Sequence, residues 1–233
     1  MSCGVTSSRV SLTLTTRVRE AVNAQTSTTT QPPVSPDRTT APQGEPVEPE
    51  PRQSSGPALL IDLVEVAGDW SAFGNAATLG SLVKNTADAV AGAAPLAARL
   101  PSAGRSAEAV VALSSDTEVA NLNGQYRGKK KPTNVLSFPA SAGTVLGVGA
   151  TGPVPLGDIV LAAETILAEA ADMGINPVDH LRHLIVHGLL HLLGYDHIEA
   201  AEADEMEALE THILATMGVA DPYAGSEPAE VPS

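Results

Sequence analysis

The amino-acid sequence predicts an α+β fold: a small mixed β-sheet of about four strands flanked by about five helices, in a single domain with a disordered N-terminal extension. Three observations lead there. Short runs rich in Leu, Ile and Val alternate with helix-patterned stretches in the order β-α-β-α-β-β-α-α-α, with no internal repeat. Residues 1–56 are dominated by Ser, Thr, Pro, Gln and Ala, as in "TSTTTQPP" and "PQGEPVEPEPRQSSGP", and offer too few apolar residues to offset the entropy of ordering. The rest, a domain over 57–223 before a disordered tail at 224–233, leaves about 170 residues, enough for one core of ordinary size.

In order, "ALLIDLVEVA" (58–67) reads as a buried or half-buried strand. The alanine-rich stretch Trp70 to Leu100 is helical, interrupted by Gly and by Pro95. "AEAVVALSS" (107–115) is a second strand, followed by a capping box of Ser115 and Glu118 that starts a helix expected to end near Gly124. "NVLSFP" (134–139) is a short strand closed by proline, and the Gly-rich stretch after it lacks the Lys-Ser/Thr ending of a phosphate loop and reads as connector. "LGDIVL" (156–161) is a strand running into a helix that stops at Gly174. Asn176 as N-cap, Pro177 at the first helical position and Asp179 in the first turn open the next helix, which runs to about Leu193 and ends at Gly194. The last helix carries Met206, Leu209, Ile213 and Met217 at helical spacing, with its acids expected on the outside.

Charge is unevenly placed. Of the net −14, nine charges come from residues 198–233, which hold nine acids and no Lys or Arg. All four lysines are Lys84 and the run Lys129, Lys130, Lys131, which follows Arg127 in "YRGKKKP". Potentials are screened over roughly 8–10 Å, so this is a basic island in an acidic chain, with a solvated loop as the plain alternative. Cys3, the single cysteine, excludes an intrachain disulfide framework and fits a reducing compartment. No apolar run is long enough to span a bilayer, so no membrane partner is expected.

The chemistry concentrates in "HGLLHLLGYDH" (187–197). On a helix, His187 and His191 differ by about 40° in direction and about 6 Å in rise, so both imidazoles can reach one ion. A third ligand must come from a change of direction, which Gly194 permits, and His197 can then fold back. Three neutral imidazoles leave a fourth tetrahedral position open, as in catalytic rather than structural zinc sites. His180 and His183 lie roughly on the face of His187, so either could orient a ligand or merely pack; packing is the favoured reading, and His183 is the candidate kept for orienting. His212, alone among acids, reads as an ordinary helix residue.

One absence matters. The metalloprotease frame H-E-x-x-H-x-x-G-x-x-H has glutamate where this chain has Gly188, and without that base hydrolysis of an unactivated amide is disfavoured. A phosphodiester fits better, because a cation helps most where its negative charge grows towards the transition state. Arg127 can hold phosphate with its fork and Lys129, Lys130 and Lys131 can hold neighbouring phosphates. Asp158 and Asp196 are the carboxylates expected near the site, to orient a ligand histidine or take a proton; for Asp196 a local turn contact is the equal alternative.

"LNGQYRGKKKPTNVLSFP" (122–139), "LGDIVLA" (156–162), "HLIVHGLLHLLGYDH" (183–197) and "EMEALETHILATMGVADPY" (205–223) together resemble the bacterial YbeY endoribonucleases, also called rRNA maturation factors. The resemblance spans roughly 58–223 and excludes the N-terminal stretch. It implies one zinc ion held by His187, His191 and His197, and metal-dependent cleavage of single-stranded RNA. The work implied is rRNA maturation at the 16S 3′ end and ribosome quality control, with the small subunit as partner. Arg127 matches the family's functionally important arginine, so Arg127 and His187 are expected to carry catalysis. The rival reading is a non-catalytic, metal-containing ribosome assembly factor. A cytoplasmic location is expected, or an organellar one if the acid-free first nineteen residues, with Arg9, Arg17 and Arg19, act as a transit peptide.

Overall fold

The structure is a computed structural model that describes residues 59–101, 105–140 and 152–224. The predicted extension, the Gly-rich connector over 141–151 and the end of the chain after 224 lie outside the described residues.

The fold is α+β. Strands β1 (Leu59–Glu65), β2 (Ala107–Ser114), β3 (Val135–Pro139) and β4 (Val154–Ala162) form one sheet in the order β1-β2-β4-β3. β1, β2 and β4 are parallel, and β3 runs antiparallel to β4 at the edge. The helices are α1 (Ala76–Gly92), the short α2 (Ala94–Ala97), α3 (Asp116–Arg127), α4 (Ala163–Met173), α5 (Pro177–Leu192) and α6 (Ala200–Thr216). No helix among the described residues is long and apolar enough to cross a membrane.

Strand alternation divides the core in two. Ile159 and Leu161 of β4 join the large cluster that holds Leu82 and Val83 of α1, Leu181, Ile185 and Leu189 of α5, and Ile213 of α6. Val160 and Ala162 join the smaller cluster on the opposite face, under Val119 of α3. Gly157 makes β4 irregular: at φ +134° it allows the bulge opposite Glu108 and Ala109, and an added Cβ would lie 2.2 Å from the Phe138 carbonyl oxygen.

Helix ends mostly follow the predicted chemistry. The Asn176 side chain accepts from the Val178 N–H at 2.8 Å, Pro177 opens α5, and the Ser115 hydroxyl accepts from the Glu118 N–H. One end differs. α3 passes through Gly124 and ends at Arg127, with Gly128 left-handed at φ +69°. A glycine inside a helix costs only about 1 kcal/mol, whereas Gly128 offers the positive φ that ends a helix without strain. The Asn123 amide also donates to the Lys131 carbonyl at 2.8 Å, drawing the basic loop back onto the helix. Arg127 therefore sits on the last helical turn rather than in a free loop.

α5 lies unusually close to the sheet. A Cβ at Gly188 would stand 2.9, 3.0 and 3.2 Å from three carbons of the Ile159 side chain. A methyl at 188 fits only if the Ile159 side chain gives way by a few tenths of an ångström, and the longer side chain of a glutamate pointed into the sheet would need far more. Gly188→Ala gains about 1 kcal/mol of helix propensity but loses about 1–3 to overpacking, so a small net loss is expected. Gly188→Glu, which drives a carboxylate into Ile159, should cost more than about 3 kcal/mol. Thermal or urea unfolding measures both; an unchanged Tm for Gly188→Glu would show that the helix can turn this position away from the sheet.

Candidate metal centre

Three of the predicted residues come together. The ligand atoms of His187, His191 and His197 all lie within 4.8 Å of one another. His187 and His191 stand one turn apart on α5, with their Nε2 atoms 3.0 Å apart. The chain then turns at Gly194 (φ +85°), and the His197 ring arrives with its centroid 5.5 Å from that of His187 and 5.0 Å from that of His191. The turn is held from outside: Arg99 donates to the Leu193 carbonyl at 3.1 Å and lies 4.0 Å over the Tyr195 ring. Tyr195 in turn presents its carbonyl oxygen to His191 Nδ1 at 3.0 Å.

Hydrogen-bond roles fix where the lone pairs are. A carbonyl only accepts, so His191 carries its proton on Nδ1 and keeps a lone pair on Nε2. His187 Nδ1 faces the Glu210 carboxylate Oε1 at 2.8 Å, which requires the same tautomer. Two lone pairs then face each other at 3.0 Å, a repulsive arrangement unless a cation lies between them. Tetrahedral ligands at zinc–nitrogen distances of 2.0–2.1 Å would stand about 3.3 Å apart, so the donor set fits such an ion. Burial lowers the pKa of His191, and the neighbouring charge of His187 adds to that, so uptake of a proton by His191 is disfavoured as the means of relieving the contact.

Glu210 is the residue that sequence reasoning misplaced. Its acid neighbours on α6 do face outward, but Glu210 is itself fully buried. It accepts from His187 at Oε1 and, at Oε2, from His183 Nε2 (2.9 Å) and the Tyr223 hydroxyl. Burial alone would raise its pKa; the three hydrogen bonds overcome that and bring it down to about 2. Burial, with the Glu210 charge, pushes Tyr223 far above the ordinary phenol range. The signal was present: position 210 is four residues after Met206 and three before Ile213, on the buried stripe. His183, His187 and Glu210 form a second group that could hold a metal by proximity, but their hydrogen bonds already occupy the atoms that face one another.

The remaining predicted residues divide. His183 touches Glu210 rather than only packing. Asp196 lines the cleft, and its carboxylate accepts from the His197 backbone N–H at 2.8 Å, the local turn contact. Asp158 is buried, but alternation from Val160 places it on the α3 side of the sheet, away from the histidines. That position corrects its expected approach to the site: the face on which α5 packs was not readable from the strand alone. His180 is buried and bonded to Glu169 at 2.8 Å, and His212 is exposed.

In front of the histidines lies a cleft of about 570 Å³, walled by Val135, Ser137 and Pro139 of β3 and by Arg127. A neighbouring hollow of about 590 Å³ is lined by Lys129, Lys130 and Lys131, and Arg127 and Thr133 border both. Residues 75–218 match the family described as Endoribonuclease YbeY. This chain belongs to the YbeY endoribonuclease family. An Endoribonuclease YbeY of Parvibaculum lavamentivorans is 45% identical over 183 residues, which cover 76% of this chain and 92% of that protein. The YbeY of Azorhizobium caulinodans is 44% identical over 166 residues (71% and 97%), and that of Rhodospirillum rubrum 55% over 118 (51% and 59%). The solution structure of a Thermotoga maritima protein aligns with 74% of this chain and 99% of its own, at 20% identity and TM-score 0.43.

Acid should destabilise this YbeY-family chain in two steps. The lowered pKa of His191 means that the unfolded chain takes up that proton first, so metal-free stability falls as pH drops below about 6.5. Glu210, depressed from 4.5 to about 2, contributes stability that is complete above 4.5 and lost as pH falls through about 2. Urea midpoints of the metal-free protein between pH 8 and 2 test this; a flat profile from 6.5 to 2 would contradict both placements.

Proposed function

We infer that this chain is a zinc-dependent endoribonuclease that cleaves single-stranded RNA, acting in rRNA maturation at the 16S 3′ end and in ribosome quality control with the small subunit as partner. The observation that carries this is the pair of uncapped imidazole lone pairs, joined by His197, opening on a cleft whose other wall bears Arg127. Family membership supplies the reaction class, and the donor set supplies the preference for zinc.

His187, His191 and His197 would hold the ion. When bound, it supplies Lewis-acid polarisation of a phosphoryl oxygen. Arg127, fixed on the last turn of α3, would pair with the same phosphoryl group from across the cleft and stabilise charge that grows during cleavage. Lys129, Lys130 and Lys131 would hold the backbone that leaves the cleft through the neighbouring hollow. An acidic molecule that binds a polyanion needs its cations on the binding path, and all four of these lie together. Asp196 stands beside the site with one carboxylate oxygen engaged by the His197 backbone N–H.

Arg127→Ala should reduce cleavage of a defined single-stranded RNA by about 100-fold or more, a loss of roughly 3 kcal/mol of transition-state stabilisation, with zinc content unchanged. His191→Ala should lose both zinc and cleavage. Elemental analysis and gel-resolved cleavage of nuclease-free preparations check both variants together. Cleavage that persists in His191→Ala would favour the assembly-factor reading, with the activity a contaminant; equal turnover by Arg127→Ala and the parent would remove that arginine from the reaction.

A further inference from the structure

We propose that Glu210 is a positioning residue for the metal centre: it fixes the ring tautomer of His187, and so its metal affinity, while holding the adjacent His183 in the opposite tautomer. The inference rests on reading His187 as a metal ligand and deepens it.

A carboxylate is an unexpected occupant of this position. Met206, Leu209 and Ile213 surround it on the stripe of α6 that faces the core, and Glu210 is fully buried among them. An apolar side chain of similar volume would pack there without desolvating a charge. What the carboxylate adds is acceptors in two directions. Oε1 meets His187 Nδ1 at 2.8 Å, and Oε2 meets His183 Nε2 at 2.9 Å and the Tyr223 hydroxyl.

An ionised carboxylate cannot donate, so each ring atom facing it must carry the proton. The His187 proton is therefore on Nδ1, which leaves Nε2 as the lone pair that points at His191 Nε2. In His183 the proton is on Nε2, the atom that would otherwise compete as a ligand. One side chain thus sorts two rings whose centroids are 6.3 Å apart into a ligand and a support. Tyr223, beyond the end of α6, adds a third donor and keeps the carboxylate from turning. His191 has its own orienting group in the Tyr195 carbonyl, so the two helix ligands are set independently, one by α6 and one by the turn after α5.

The decisive measurement needs no variant. In the metal-free parent at pH 8, two-bond ¹⁵N–¹H correlation spectra of the histidine rings should show His187 protonated on Nδ1 and His183 on Nε2. The same tautomer in both rings, or a His187 proton on Nε2, would overturn the proposal. Glu210→Gln, which can donate as well as accept, should mix the His187 tautomers and weaken zinc binding by about 10–100-fold in competition with a chelator. A residue that merely joins α5 to α6 would behave differently: Tm would fall in Glu210→Gln while the His187 tautomer held and zinc affinity stayed within about twofold. That pattern would also overturn it. A parent that binds no zinc at all would instead remove the metal-centre reading on which the proposal stands.

Discussion

The seating of α5 on β4 governs the rest of the molecule. Gly188 lets the helix backbone approach Ile159 closely, and once that face is committed the other directions follow from 100° per residue. His187 and His191 are turned to the cleft, and His183 with the Nδ1 side of His187 is turned to α6. Leu181, Ile185 and Leu189 fill the core. A helix that sat farther from the sheet, or rotated to make room for a side chain at 188, would turn both ligands together away from His197 and the cleft before any ligand was changed. The absent glutamate of the metalloprotease frame is therefore a consequence of packing as much as of chemistry.

Electrostatics then decides how the site is held. A carboxylate buried in an apolar stripe is costly unless its acceptors are used, and Glu210 uses both oxygens on groups that need orienting. The pKa lowered to about 2 keeps it ionised near neutral pH, so both oxygens remain acceptors there. His191 is treated in the opposite way. Burial and its histidine neighbours discourage protonation, which keeps the lone pair available. Glu210 thus sets which nitrogen of His187 faces the cleft, while burial keeps the His191 lone pair available to the same point.

Much of this was legible in the sequence because it depends on local period and local turn chemistry. The four strands, the five longer helices and the histidine trio follow from alternation, helical spacing and a glycine with positive φ. Two features were hidden because they depend on what packs against what. Arg99 reaches Leu193 and Tyr195 across 94 and 96 positions of sequence, and nothing local to either end announces it. Asp158 was expected near the histidines, yet a strand has two faces and the sequence does not say which one α5 will cover. Glu210 is a different kind of miss. Its place on the Met206–Ile213 stripe was readable, but the general rule that acids face solvent outweighed the helical arithmetic.

The sheet order explains why the candidate site is where it is. α3 packs on one face of the sheet, with Tyr126 against Phe138 at a centroid distance of 5.3 Å, while α5 packs on the other. A residue of α3 can meet the histidines of α5 only by passing around an edge, and β3 is the edge on that side. Arg127, one residue beyond Tyr126 and on the last turn before Gly128, is placed to do so, and it borders both the metal cleft and the lysine hollow. β3 itself contributes Val135, Ser137 and Pro139 to the cleft while Leu136 and Phe138 stay in the second core. The edge position of that strand is what brings them together: a further strand paired outside β3 would stand between the arginine and the histidines.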